Sequence, residues 1–169
     1  DLFAGKVRNI HTIGYPVNEL AKVFNDNEKN NTRSSYTDGK EYFLFYVNDN
    51  SLKNTTLLLK AFSAFKKRQL SNMQLVLFFS STVKENPVKD FSLYKYRDEA
   101  KEIYRGNDDL LAQITSASYA AIYLPSIETM DGIGLFTLKN NIPLITSKND
   151  FNKSLYRDTV LYTTLDDKN

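Results

Sequence analysis

Short apolar runs alternate with amphipathic stretches along this chain. The run Tyr42–Val47 is continuously apolar and as long as a strand, which is typical of a strand buried on both faces. Further runs at Met73–Phe79, Tyr119–Leu124 and Ile142–Ile145 predict three more buried strands. Strands that alternate with helices at this spacing indicate a parallel sheet with right-handed crossovers.

The longer helices are predicted from apolar spacing and from the residues at their ends. After Tyr42–Val47, one buried helix face is marked by residues at i, i+3, i+4 and i+7, namely Leu58, Ala61, Phe62 and Phe65. Asn54 or Thr55 can cap that helix. Asp108 and Asp109 suit the first turn of a second helix, because the helix dipole favours negative charge there.

The remaining elements are shorter. They are a strand at Ile103–Gly106, a helix opened by Gly132–Gly134, a helix at Phe151–Arg157 and an extended segment at Thr159–Thr163. Residues 25–40, rich in Asn, Asp, Ser, Thr and Lys, are predicted to be a solvated polar connector. No internal repeat is present, so residues 1–169 are predicted to form a single α/β domain, a Rossmann-like parallel sheet with helices on both faces.

Composition narrows the functional classes. The chain is 41% hydrophobic and 25% charged, as is ordinary for a folded domain, and its net charge of +2 argues against a nucleic-acid partner. The densest basic run, Lys66–Arg68, is predicted to be the solvated end of a helix. The absence of cysteine excludes a disulfide, a thiolate nucleophile and a cysteine zinc site. The single histidine, His11, argues against a His-dependent catalytic pair, and no metal site is predicted.

A glycine-containing loop follows the strand at Tyr119–Leu124. A strand end, the glycines Gly132 and Gly134, and a helix start together present free backbone N–H groups and the positive end of a helix dipole. Both glycines allow a ligand to approach the backbone closely, and ligands of open α/β sheets collect at this edge. The loop is therefore either a diphosphate site or a tight turn between strand and helix.

The stretch around this loop resembles a known signature. Pro125-Ser126, Gly132-x-Gly134-Leu135 and Pro143-Leu144-Ile145 occur in the order found in family 4 retaining glycosyltransferases. Other blocks follow the family's order as well, so the resemblance spans most of the chain. It implies the donor-binding half of a two-domain GT-B glycosyltransferase, a hexosyltransferase-like enzyme that is incomplete in this chain. The spacing before Pro143 is shorter than in the family, which predicts a clipped helix.

The resemblance implies roles for the residues of this loop. The diphosphate would be met by Gly132, Ile133, Gly134 and Leu135. Asp131 stands where the family has a glutamate that contacts the donor sugar, and it is the implied catalytic residue. Lys139 stands where a second glutamate holds the nucleotide ribose. Because an ammonium can only donate hydrogen bonds, Lys139 reverses that contact, and it is either a ligand contact or a solvated helix residue.

The phosphate and nucleobase sides are implied in the same way. Lys53 matches a lysine near the diphosphate, and it is either a phosphate contact or a solvent-facing residue. Asn48 and Asp49 replace the Gly-Arg pair of the family, and Asp49 would repel phosphate. Tyr104, Arg105 and Asp108 either edge the nucleobase pocket, as the resemblance implies, or are ordinary surface residues.

The implied function is transfer of a sugar from a nucleotide sugar to an acceptor with retention, without a cofactor. Asp49 and Lys139 leave an alternative, a degenerate non-catalytic GT-B domain used for binding or interaction. The implied partner is an N-terminal acceptor-binding domain preceding Asp1, so the chain alone is expected not to catalyse transfer. No signal peptide or membrane span is recognised, so a cytoplasmic location is expected, with any membrane attachment supplied by the missing domain.

Overall fold

The computed structural model describes residues 23–83, 91–104, 106–128 and 132–165. Its strands are β1 (Tyr42–Val47), β2 (Gln74–Phe79), β3 (Ala100–Ile103), β4 (Ala120–Tyr123), β5 (Leu144–Ser147) and β6 (Leu161–Thr163). Its helices are α1 (Asp26–Thr37), α2 (Thr55–Gln69), α3 (Asp108–Ala117), α4 (Ile133–Lys139) and α5 (Asp150–Tyr156). All neighbouring strands are parallel, in the order β3-β2-β1-β4-β5-β6, which confirms the predicted Rossmann-like α/β sheet. Within the described ranges no helix is long and apolar enough to span a membrane.

The strand order reverses direction beside β1. This strand pairs with β2 on one edge and with β4 on the other. Consecutive side chains of a strand point to opposite faces, so Phe45 joins a buried cluster with Leu58 of α2, whereas Leu44 joins one with Ile114 of α3. The helices that cover β1 therefore lie on opposite faces of the sheet. In folds of this kind, ligands bind where the strand order reverses, at the carboxyl ends of the strands.

The structure corrects the prediction for residues 25–40, because Asp26–Thr37 form the helix α1 rather than a solvated connector. The helix begins with a capping box. Asn25 and Glu28 each accept a hydrogen bond from the backbone N–H of the other, at 3.0 and 2.9 Å. The segment therefore begins a helix at a defined residue, although its sequence is polar.

Polar contacts also hold α1 against α3. Thr32 and Thr37 are buried, and their hydroxyls donate to the carbonyl oxygens four residues earlier. Arg33 donates from Nε to the carbonyl oxygen of Ala117 at 3.0 Å. Because the buried side chains of α1 are polar, the segment lacks the apolar periodicity by which the other helices are predicted.

Strands β2 to β6 begin one to three residues from their predicted starts, and β3 and β5 show a physical reason. β3 spans Ala100–Ile103, three residues before the predicted Ile103–Gly106, because the two charged residues at its centre interrupt the apolar run. β5 begins at Leu144 rather than at Ile142. The intervening Pro143 has no N–H to donate to a strand ladder.

The helix α2 begins at Thr55 after a 3₁₀ turn at Leu52–Asn54. Leu58 and Phe62 lie on its buried face, as predicted, and Phe65 is half-buried. Ala61 is exposed and Leu59 is buried in its place. The apolar face with which α2 covers β1 is therefore rotated slightly from the predicted face.

The structure also corrects the prediction for the basic run Lys66–Arg68. Its last two residues are exposed, but Lys66 is only 6% exposed. The Lys66 ammonium donates to the carbonyl oxygen of Met73 at 3.0 Å and to that of Ser71, and it forms an ion pair with Glu99. Lys66 therefore links the end of α2 to the segments that precede β2 and β3.

Replacing Lys66 with Met is expected to lower the free energy of unfolding by about 3 kcal/mol, because Glu99 and two backbone carbonyls lose their donor. Urea denaturation measures the change. The control is Lys67→Met at the exposed neighbouring position, with an expected effect below about 0.5 kcal/mol. Equal effects of the two substitutions would contradict the role assigned to Lys66.

Candidate functional site

The loops that leave β1 and β4 lie together at the carboxyl edge of the sheet. We call this region the switch-point edge, and it comprises residues 48–54, 124–128 and Gly132. β1 continues through it to α2, and β4 continues through it to α4. Gly132 follows the carboxyl end of β4 and is the N-cap of α4, as predicted.

Gly132 gives α4 an unusual start. Its φ of 79° lies in the left-handed region that favours glycine. Glycine supplies no side-chain acceptor to the first turn, whereas α1, α3 and α5 each begin with a capping asparagine side chain. The helix α4 therefore begins, like α2, without a hydrogen bond to the side chain of its own N-cap residue.

Gly134 has a packing role that the sequence does not reveal. A Cβ atom added to Gly134 would come within 2.1 Å of the Tyr156 hydroxyl and 2.6 Å of the ring carbon that carries it. Tyr156 belongs to α5 and is buried. The second glycine of the Gly-x-Gly loop therefore lets α5 pack closely against α4. This packing is sufficient reason for a glycine here, whether or not a ligand is bound.

The residues on either side of Gly134 serve the core with their side chains. Ile133 and Leu135 are half-buried and pack against a cluster that contains Tyr123 and Leu144. Both side chains are thus used in packing the core. If these residues meet a diphosphate, they do so through their backbone.

The turn after β1 satisfies its own backbone. The side-chain oxygen of Asn48 accepts hydrogen bonds from the N–H groups of Asn50 and Ser51, at 3.1 Å each. The buried Ser51 hydroxyl accepts from the N–H of Asn48 at 3.0 Å and donates to the carbonyl oxygen of Tyr46 at 2.9 Å. These amides cannot also form a phosphate cradle of the kind that a glycine-rich loop provides. A phosphate at this turn would have to be met by side chains.

The charges of the switch-point edge are few. Its described part carries one cation, Lys53, and two anions, Asp49 and Glu128, and all three are exposed. Lys139, also exposed, is the last residue of α4, which has only seven residues, as the short spacing predicts. It lies about 9 Å along the helix axis from Ile133. The structure therefore places Lys53 within the edge and Lys139 one helix length from Gly132, which leaves both assigned contacts to be tested.

An aromatic pair lies beside the edge, after β3. Tyr104 is 39% exposed and stacks on Phe79, with ring centroids 4.4 Å apart and planes inclined by 8°. Its hydroxyl donates to Glu102 at 3.0 Å. Burial, and secondly the bond to Glu102, raise the pKa of Tyr104 well above its usual value. Asp108 lies nearby in sequence, in the first turn of α3.

Three predicted positions, Asp131, Arg105 and His11, lie outside the described residues. Asp131 directly precedes Gly132 in the sequence, and Arg105 directly follows Tyr104. The roles assigned to them stay predictions. Among the residues that the structure describes, no group of three or more His, Asp or Glu side chains could hold a metal ion.

Hydrogen bonds join the two loops of the switch-point edge, and the sequence gives no sign of them. Ser126 donates from both its N–H and its hydroxyl to the carbonyl oxygen of Asn50, at 2.7 Å each. Asn54 donates from Nδ2 to the carbonyl oxygen of Leu124 at 2.8 Å, across 70 positions of the chain. The edge is therefore a connected structure rather than two independent loops.

A small cavity of about 10 Å³ lies between α3 and α4, against β1 and β4. Its volume suits about one water molecule, so this cavity is too small for a nucleotide. Thr115 lines the cavity, and its buried hydroxyl has no hydrogen-bond partner among the described residues.

Comparison with known proteins gives a likeness of fold. No family model and no curated protein matches the chain. Among solved structures, WaaG, a glycosyltransferase involved in lipopolysaccharide biosynthesis, matches with a TM-score of 0.64 at 14% identity, over 82% of this chain and 38% of WaaG. Anabaena HepE, solved in complex with UDP and glucose, matches with a TM-score of 0.69 at 11% identity, over 83% of this chain and 39% of HepE. OtsA matches with a TM-score of 0.60 at 10% identity, over 76% of this chain and 33% of OtsA.

At these identities the likeness concerns the fold. The chain spans less than two fifths of each of the three proteins, which are of the GT-B kind. It therefore has the Rossmann-like α/β fold found in one part of GT-B glycosyltransferases, as the resemblance in sequence implies.

Replacing Gly134 with Ala is expected to lower the free energy of unfolding by about 1–3 kcal/mol, because the added methyl overpacks the contact with Tyr156. Thermal or urea denaturation measures the loss. Removing the hydroxyl in Tyr156→Phe should make the same substitution less harmful, and a double-mutant cycle isolates that coupling. Additive effects of the two substitutions would contradict the contact.

Proposed function

We propose that this chain is the donor-binding part of a GT-B glycosyltransferase, which transfers a sugar from a nucleotide sugar to an acceptor with retention. The observation that carries the proposal is the GT-B-like fold, whose strand-order reversal lies beside a glycine-started helix. The sequence resemblance to family 4 enzymes centres on the same loop. HepE was solved with UDP and glucose, which supports a nucleotide sugar as the ligand class.

The proposed donor lies across the switch-point edge. Its diphosphate meets the backbone of the first turn of α4, after Gly132, where the helix dipole favours negative charge. Lys53 approaches the phosphates from the opposite loop. The nucleobase stacks near Tyr104 in this proposal. Asp131 and Arg105 are assigned to the donor sugar and to the nucleobase from the sequence resemblance alone.

Transfer requires a second domain in this proposal. The acceptor has to be oriented against the donor sugar within a cleft, and that orientation supplies much of the rate. An acceptor-binding domain of the same protein would form the other wall. The reaction needs no organic cofactor, because the donor sugar is already activated by its nucleotide.

Weak donor binding is expected from the residues on the edge. Asp49 brings a negative charge close to the phosphates, and the amides of Asn50 and Ser51 are engaged within their own turn. Lys139 cannot accept hydrogen bonds from a ribose. A degenerate, non-catalytic domain would have the same features. If no nucleotide sugar binds, that alternative replaces the proposed function.

The chain is expected to bind one of UDP-, GDP- and ADP-glucose, because its edge keeps the positive end of the α4 dipole and a cation, Lys53. Isothermal titration calorimetry with the three donors measures this. Lys53→Ala should weaken binding about tenfold, since about 1.4 kcal/mol of charge-assisted hydrogen bonding is lost. Lys67→Ala, on the distant end of α2, is the matched control. Absence of binding with all three donors would contradict the proposed function.

Replacing Lys139 with Glu is expected to tighten donor binding about tenfold, because a carboxylate can accept hydrogen bonds from the ribose diol. The same titration compares this variant with the unmodified chain. Unchanged or weaker binding would mean that Lys139 does not occupy the ribose position. Its place at the end of the clipped helix α4 would explain that result.

A further inference from the structure

One threonine of α3 carries a buried hydroxyl that no described group of the chain satisfies. Thr115 is 1% exposed, and its Oγ1 has no hydrogen-bond partner among the described residues. A hydroxyl can both donate and accept hydrogen bonds, and burying it without a partner costs free energy. The Thr115 hydroxyl therefore needs a partner beyond the described protein groups.

A threonine within a helix has a local solution that Thr115 does not use. Its hydroxyl can donate to the carbonyl oxygen four residues earlier. Other hydroxyls of the described helices do so at 2.9 or 3.0 Å, namely those of Thr32, Thr37, Ser63 and Thr137. For Thr115 that acceptor would be the carbonyl oxygen of Leu111, and the bond is not formed. The Thr115 hydroxyl is thus left to bind a group outside its own helix.

The small cavity between α3 and α4 adjoins this residue. Thr115 lines the cavity together with Tyr46, Tyr123 and Thr137, which also carry hydroxyl groups. The Thr137 hydroxyl donates to the carbonyl oxygen of Ile133 at 2.9 Å, so its oxygen keeps the capacity to accept. A buried water needs about two to four polar partners and a volume of the size found here, about 10 Å³. The cavity therefore offers a water both the space and the polar groups.

The lining of the cavity argues against any other ligand. Its remaining described residues are all apolar: Leu44, Leu111, Ala121, Ile122, Ile133 and Phe136. An ion would lose its hydration here without meeting an opposite charge among the described lining residues. A molecule larger than water would exceed the volume. One neutral water is the ligand that fits both conditions.

We propose that this cavity is a binding site for one buried water molecule, anchored by the Thr115 hydroxyl. The water accepts the hydrogen bond of Thr115 on α3 and donates to the hydroxyl oxygen of Thr137 on α4. It thereby bridges the two helices beside Tyr46 and Tyr123, close to the carboxyl ends of β1 and β4. The site needs no nucleotide, so it stands independently of the proposed function.

The test counts long-lived water molecules in the full chain by magnetic relaxation dispersion of the water oxygen nucleus. This signal comes from whole water molecules and not from exchanging hydroxyl protons. The variant is Thr115→Val, which removes the hydroxyl and nearly keeps the shape of the side chain. The matched control is Thr32→Val, because Thr32 is also 1% exposed within a helix but bonds to the carbonyl oxygen of Glu28. Circular dichroism verifies that both variants are folded.

Thr115→Val is expected to reduce the dispersion amplitude by the contribution of one water molecule, whereas Thr32→Val leaves the amplitude unchanged. An unchanged amplitude in Thr115→Val would overturn the site, and so would equal reductions in the two variants. The unmodified chain gives a check that needs no substitution. If it shows no dispersion from a long-lived water, the proposal is wrong.

Discussion

β1 is hydrogen-bonded along both edges and covered on both faces, and the rest of the fold is arranged around it. Tyr42, Phe45 and Val47 have no exposed surface. Its neighbours β2 and β4 extend the sheet in opposite directions, so the helices that cover it must come from both sides. The loops after β1 and β4 therefore start close together and lead to opposite faces. The position of the switch-point edge follows from the burial of this one strand.

The switch-point edge satisfies most of its polar groups internally. Asn48 and Ser51 close the turn after β1, and Ser126 bonds across to Asn50. Such bonds fix the loops, but they also occupy amides that a glycine-rich loop would offer to phosphate. A ligand at this edge must therefore rely on the start of α4 and on exposed side chains such as Lys53. The geometry favours an ordered site with few anion contacts.

Apolar runs predicted the central strands because those strands are buried on both faces. The edge strand β3 was harder to place, since charged residues separate Ala100 from Ile103. The helix α1 could not be predicted from periodicity, because Thr32 and Thr37 take buried positions with their hydroxyls bonded to the backbone. The start of α4 was predictable from Gly132, but the contact of Gly134 with Tyr156 and the hydrogen bonds between the two loops of the switch-point edge were not. Both depend on partners that only the folded chain brings near.

The two ends of α2 are held by different kinds of contact. Leu70 has a left-handed φ of 48° and is 89% exposed, yet its N–H donates to the carbonyl oxygen of Lys66, as at many helix C-termini. Its strain is thus explained within α2. Asn54, in the 3₁₀ turn that leads into the same helix, has a helical backbone with a φ of −90° and a ψ of 0°, and its side chain donates to the carbonyl oxygen of Leu124, 70 positions away. This bond joins the two loops of the switch-point edge, so the start of α2 is held by a distant contact and its end by a local one.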